Sequence, residues 1–132
     1  MKYFIIYILH YDFFYYFMHR LLHTKYFYSI HKIHHSAYNP KYTDFFNVSA
    51  FEYPLSSVGL YIAVYLYGIY IYQLIGTITF ICLRGMMEHD KRFVWIVGNH
   101  HLNHHTYFYY NYGEYWMDYA FGTLYKIQNK IN

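Results

Sequence analysis

Nine of the eleven histidines in this 132-residue chain fall into clusters with repeated spacing. His19 and His23 form H-x3-H, and His31, His34 and His35 form H-x2-H-H. His101, His104 and His105 repeat the second pattern, with His100 immediately before it. Spacings of three and four place side chains on one face of a helix. On an ideal helix His34 and His35 lie about 300° and about 40° round from His31, so the three rings face one way. Imidazole is the commonest metal-binding side chain. Three such faces, brought together, offer eight ring nitrogens, too many for one ion and suited to two.

Neutral imidazoles suit iron, zinc, copper and nickel. The one cysteine, Cys82, lies in an apolar run and reads as a small buried hydrophobe. With no Cys-x-x-Cys, a thiolate zinc site is unsupported. A pocket of histidines without thiolates, beside a long apolar segment, favours redox iron over structural zinc. Ligating histidines hand their second N–H to a carboxylate or carbonyl. Asp12, Glu88, Asp90, Glu114 and Asp118 are the candidates, and Asp12 is the best placed, seven residues before His19 on the same helical face. A lone histidine is more often packed or solvated than ligating, and His10 is read that way. Spacing alone leaves His89 and His100 open.

The elements that must position these residues can be read from charge and hydropathy. Only 13% of residues are charged, the formal net charge is +3, and no Lys or Arg cluster points to nucleic acid. The 22 tyrosines fit A/T-rich coding better than a tyrosine-based function. From Tyr53 to Leu83 there is no charged residue for 31 positions, and 18 or more such positions make a candidate membrane segment. The mean hydropathy is near zero because tyrosine and histidine lower it, yet tyrosine is at home at membrane interfaces. Tyr3 to Met18 is also apolar, but it lacks a small-residue cleavage site and reads as retained.

The pattern predicts one all-α domain over 1–132. One helix covers 3–24 and a shorter one covers 27–37, broken by Asn39-Pro40. A polar connector covers 41–52, and a membrane hairpin of about 54–87 turns near Gly68. A helix over 93–107 carries the last box, Asn111 to Gly113 makes a turn, and 114–126 is a terminal amphipathic helix. If all boxes serve one metal cluster they lie on one side of a membrane, so the chain crosses an even number of times between His35 and His89. The basic residues flanking the boxes place that side in the cytosol.

His19-Arg20-Leu21-Leu22-His23, His31-Lys32-Ile33-His34-His35 and His101-Leu102-Asn103-His104-His105 resemble the fatty acid hydroxylase/sterol desaturase superfamily. Asn111-Tyr112-Gly113, Trp116-Met117-Asp118 and Phe121-Gly122-Thr123-Leu124 resemble the segment that follows the third box in sterol C-5 desaturases. Glu88-His89-Asp90 resembles the family's isolated His-Asp, and this resemblance adds His89 to the ligands. It implies a membrane-embedded helical bundle of the endoplasmic reticulum with two non-haem iron ions at its cytosolic face. They would be held by His19, His23, His31, His34, His35, His89, His101, His104 and His105. It also implies O2 as co-substrate, electrons from a cytochrome b5-type donor and its reductase, and a sterol or other lipid as substrate. Family members carry further helices upstream of the first box, so this chain reads as N-terminally short. A sterol C-4 methyl oxidase, a fatty acid hydroxylase, a metal-binding homologue without turnover and a structural histidine-zinc membrane protein remain alternatives. Pairing of two chains into a homodimer stays open.

Overall fold

The computed structural model describes residues 1–126 and shows helices with no strand among them. Helix α1 (Lys2–Leu22) is uninterrupted, because its sequence contains neither proline nor glycine. Helices α4 (Val58–Tyr67) and α5 (Ile71–Glu88) form a hairpin that packs along it. Before them lie the one-turn α2 (Tyr28–His31) and the short α3 (Glu52–Ser56). After them come α6 (Val94–Val97), α7 (His100–Tyr107) and α8 (Tyr115–Ala120).

The hairpin turns where the sequence places it. Gly68 adopts φ +86°, a conformation that side-chain-bearing residues rarely hold. The Tyr7 hydroxyl of α1 donates to the Gly68 carbonyl at 2.6 Å and accepts from the Tyr70 amide at 3.2 Å. Tyr3 stacks on Tyr70 with ring centroids 3.6 Å apart. Lower down, Gly59 of α4 sits against the His10 carbonyl, where any Cβ would collide with the α1 backbone. Tyr7, Leu60 and Ala63 form the apolar core of this end. A second core of Tyr16, Tyr112 and Met117 joins α1 to the C-terminal segment.

An ion layer separates the apolar end from the histidine end. Arg84 of α5 reaches Asp12 of α1 at 2.6 Å and Glu114 at 3.1 Å, with Glu88 one turn away at 3.9 Å. The Arg84 and Asp12 side chains are only 15% and 5% exposed, so each depends on the other for its solvation.

Several sequence expectations are corrected. The helix over 27–37 breaks after His31, and His34–Ser36 tightens into a 3-10 turn. The helix over 93–107 is interrupted at Gly98, with φ +75°, so α7 begins at His100. The polar connector contains a 3-10 turn over Tyr42–Phe46. The terminal helix stops at Ala120, because Thr123 turns back to donate its backbone N–H to the Asp118 carbonyl at 2.9 Å. Residues 127–132 lie outside the described residues. Among the described residues no helix is long and apolar enough to cross a membrane. The ten residues of α4 extend about 15 Å, half of a hydrocarbon core of about 30 Å. Large apolar side chains nonetheless face outward in a line along α1, at Ile5, Leu9, Phe13 and Phe17.

Arg84→Met strands three carboxylates without their shared cation and should cost about 3–5 kcal/mol of stability. Asp12→Asn should cost less, because Glu114 still holds Arg84. Denaturant unfolding of the detergent-purified chain reads both, and equal costs would show that the layer does not depend on Arg84.

Candidate metal centre

Four stretches of chain converge below the ion layer. The end of α1 supplies His19 and His23, and α2 with the following turn supplies His31, His34 and His35. His89 caps α5, and α7 supplies His101, His104 and His105. These nine side chains sort into two adjoining groups. His19, His23, His31, His35 and His104 form one, and His34, His89, His101 and His105 form the other, with donor atoms within 4.8 Å of one another in each. The boxes therefore do not each face one way. His31 and His35, four apart, go to the first group while His34 goes to the second. His101 and His105 go to the second while His104 goes to the first. Each triplet straddles both groups.

Backbone carbonyls outside the groups fix three of the ring orientations. His19 Nδ1 lies 2.6 Å from the Tyr112 carbonyl, His89 Nδ1 2.6 Å from the Gly85 carbonyl, and His104 Nδ1 2.7 Å from the Tyr110 carbonyl. A carbonyl only accepts, so Nδ1 carries the hydrogen and Nε2 presents a bare lone pair. These lone pairs point inward. His19 and His31 bring their Nε2 atoms to 3.0 Å, His34 and His89 to 3.0 Å, and His89 and His101 to 3.1 Å. His35 Nε2 lies 3.1 Å from that of His104 and 3.2 Å from that of His23. Both ring nitrogens of His105 are buried without a partner.

A metal cation fits this arrangement. Two imidazole nitrogens about 2.1 Å from one ion and at right angles lie about 3.0 Å apart, against about 3.4 Å at the tetrahedral angle. The observed spacings lie nearer the first value. The first group also holds five nitrogens, one more than a four-coordinate structural zinc takes. Burial keeps the rings neutral and ready to ligate. It lowers His19 and His89 to about 4 and His105 to about 3, and pushes the others below the ordinary histidine value.

The carboxylates predicted to support the histidines mostly serve elsewhere. Asp12 reaches none of them, because Arg84 arrives on the same face of α1 and takes both its oxygens. Glu88 lies beside Arg84 rather than a ring, and so does Glu114. Asp90 is held by Arg92 and by the Tyr42 amide rather than by a ring. Asp118 does meet a histidine, His100, which belongs to neither group, at 2.9 Å. Its other contacts are the Tyr112 and Gly113 amides and the Thr123 hydroxyl. Asp118 thus shapes the loop whose Tyr110 and Tyr112 carbonyls orient His104 and His19. Phe108 and Asn111 take positive φ in that loop to turn those carbonyls inward. His10 binds the Ile6 carbonyl within α1, far from either group in chain and partners.

The residue missed from sequence is Glu52, whose Oε1 accepts from His31 Nδ1 at 2.6 Å. It is 4% exposed, and burial lifts its carboxyl to about 8. Its signal was its place as the last charge before 31 uncharged positions. A cavity of about 200 Å³ opens beside the second group, between His34, His89 and His101 on one side and Phe45, Ile78 and Ile81 on the other.

His104→Ala removes a donor from one group only, and His89→Ala from the other. Each should lower bound metal from two ions per chain to about one, while His100→Ala leaves two. Elemental analysis of the purified variants after iron loading reads this. The metal-free protein should also lose stability in acid. Above pH 6.5 the histidines are neutral folded or unfolded. As pH falls from about 6.5 to about 4, the unfolded chain takes up protons that buried His19 and His89 refuse. The melting temperature of chelated protein should fall across that window, and a flat profile would contradict the burial of neutral rings.

Comparison with curated proteins and with solved structures returns no match. The model of the fatty acid hydroxylase family matches residues 4–123, a span that includes all nine clustered histidines and the Asp118 loop. The chain belongs to the fatty acid hydroxylase family.

Proposed function

We propose that the chain is an O2-dependent lipid oxidoreductase that uses two non-haem iron ions. The family implies oxidoreductase chemistry on lipids, and its members are metal-dependent and typically membrane-associated. The observation that carries the reading is the pair of adjoining histidine groups with lone pairs converging at 3.0–3.2 Å, one group opening on a largely apolar cavity. His19, His23, His31, His35 and His104 would hold one ion, and His34, His89, His101 and His105 the other. Bound there, iron would supply activation of O2 and oxidation of an unactivated C–H bond.

The chain's own residues do the rest. The Tyr110, Tyr112 and Gly85 carbonyls and Glu52 hold four rings in one tautomer, so the donors need no rearrangement to bind. Phe45, Ile78 and Ile81 keep water from the carbon that reacts. The overall reaction consumes O2, two electrons and two protons. Desaturation converts adjacent C–H bonds to a double bond and releases two waters. Hydroxylation inserts one oxygen into a C–H bond and releases one water. We assign the electrons to a cytochrome b5-type donor.

A sterol C-5 desaturase is the form favoured by the segments after the third box. Residence in the endoplasmic reticulum membrane with the centre facing the cytosol follows from the same resemblance and the basic flanks of the boxes. The outward apolar line along α1 supports contact with lipid. A structural zinc role is disfavoured by the five-nitrogen group.

Expression in a host lacking its own sterol C-5 desaturase, followed by sterol and acyl-lipid profiling, tests the assignment. A new double bond or hydroxyl should appear with the wild-type chain and fall at least a hundredfold with His89→Ala. Two irons per chain without any new lipid product would instead identify a metal-binding homologue without turnover.

A further inference from the structure

Resting on the two-ion reading of the centre, we propose that the ion of the first group is the exchangeable one, and that Phe108 is the positioning residue that retains it by holding His23 and His35 in place. Three observations lead there. The first is unequal burial. All four donors of the second group are buried, whereas His23 and His35 of the first are only partly so. The other three donors of the first group, His19, His31 and His104, are buried. Solvent therefore reaches the first group at His23 and His35.

The second is how those two rings are held. His19, His31, His89 and His104 each set Nδ1 against an oxygen. Among the described residues His23 and His35 bond only to other histidines, through Nε2, and His35 Nδ1 is buried without a partner. What lies against them is an aromatic ring. The Phe108 centroid is 4.6 Å from that of His35, with 31° between the planes, and 6.2 Å from that of His23, with 73°. Tyr28 lies 6.0 Å from His23 and 6.2 Å from Phe108, on the same patch. Packing of this kind restricts the turning of an imidazole that no oxygen fixes. Among the described residues the ring contacts of Phe108 include no histidine of the second group.

The third is the backbone at Phe108. Its φ is +50°, which side-chain-bearing residues rarely adopt. Glycine would make the same turn without strain and would still aim the loop carbonyls. The turn alone therefore does not call for a ring, and the strain is kept where the ring meets the centre. An ion leaves a set of imidazoles one donor at a time. The donors freest to turn away are His23 and His35, and Phe108 stands against both.

The test reads metal release and needs no turnover. The iron-loaded full chain, in detergent and without oxygen, is mixed with bathophenanthroline disulfonate, which colours as it takes ferrous iron. Wild type should release two ions in two phases of one each, the first at least about tenfold faster. Phe108→Gly should quicken the first phase about tenfold and leave the second unchanged, while Phe108→Tyr, which keeps the ring, should release as wild type does. Phe108→Leu keeps an apolar side chain in the loop without the flat ring, and it too should quicken the first phase. His23→Ala should abolish the fast phase and keep the slow one. The melting temperature of chelated Phe108→Gly should stay within a few degrees of wild type, because lost packing is offset by relieved φ. Wild-type release from a folded Phe108→Gly or Phe108→Leu overturns the proposal. So does a Phe108 variant in which both phases quicken together, which marks a loosened fold, and so does a His23→Ala chain that keeps the fast phase. Two irons leaving wild type in a single phase remove this proposal alone. A wild-type chain that loads fewer than two irons removes the two-ion reading, and this proposal with it.

Discussion

The structure depends on holding neutral imidazoles with their lone pairs turned toward one another. Left alone, bare nitrogens about 3 Å apart repel, and a soft scaffold would let the rings rotate away. Here four of the nine rings, those of His19, His31, His89 and His104, are gripped on the far nitrogen. Tyr112, Tyr110 and Gly85 offer carbonyls, and Glu52 offers a carboxylate. The folding energy of the surrounding chain is thus stored as orientation, and a cation entering between the rings releases it as affinity. This explains why so much of the small molecule is arranged around backbone carbonyls. The loop over 108–113 takes two strained residues to aim two of them, and Asp118 accepts from that loop's Tyr112 and Gly113 amides.

The division of labour along the helices follows. The apolar end of α1 and the α4–α5 hairpin is held by tyrosine hydroxyls at the turn and by a glycine contact at the crossing. The histidine end has its own small core of Tyr16, Tyr112 and Met117. Between them, Arg84 gathers Asp12, Glu114 and Glu88 into one layer. That layer forms one wall of the cavity, so the ions that join α1 to α5 also set the polarity that a ligand meets.

Much of this was legible in the sequence, for identifiable reasons. The lack of proline and glycine marked out α1 to within two residues of its ends, and Gly68 marked the hairpin turn because only glycine accepts that φ without strain. Helical spacing identified histidines that share a centre. It failed on how they divide, because residues three apart sit about 60° from each other round a helix, enough for His101 and His104 to reach different groups, as His31 and His34 do. The carboxylates were assigned by sequence distance, and that logic cannot see a competitor from another helix. Asp12 is in phase with His19, but Arg84, 72 residues away, reaches it first. Carbonyl partners are invisible to residue-type reasoning altogether, since every residue has one. Glu52 escaped because its partner is 21 positions earlier, across a connector whose path no local pattern dictates.

Both histidine groups are stitched from distant parts of the chain. His34 meets His89 across 55 residues, and His35 meets His104 across 69. Neither group is complete until α7 has been made. During synthesis the apolar hairpin is made before the last histidines are, and it must start to find its surroundings without help from metal. Any product that ends before His101 keeps its apolar helices but lacks donors for both ions. The order of the boxes along the chain therefore acts as a check on translation through the last box, with metal retained only by a chain that extends past His105.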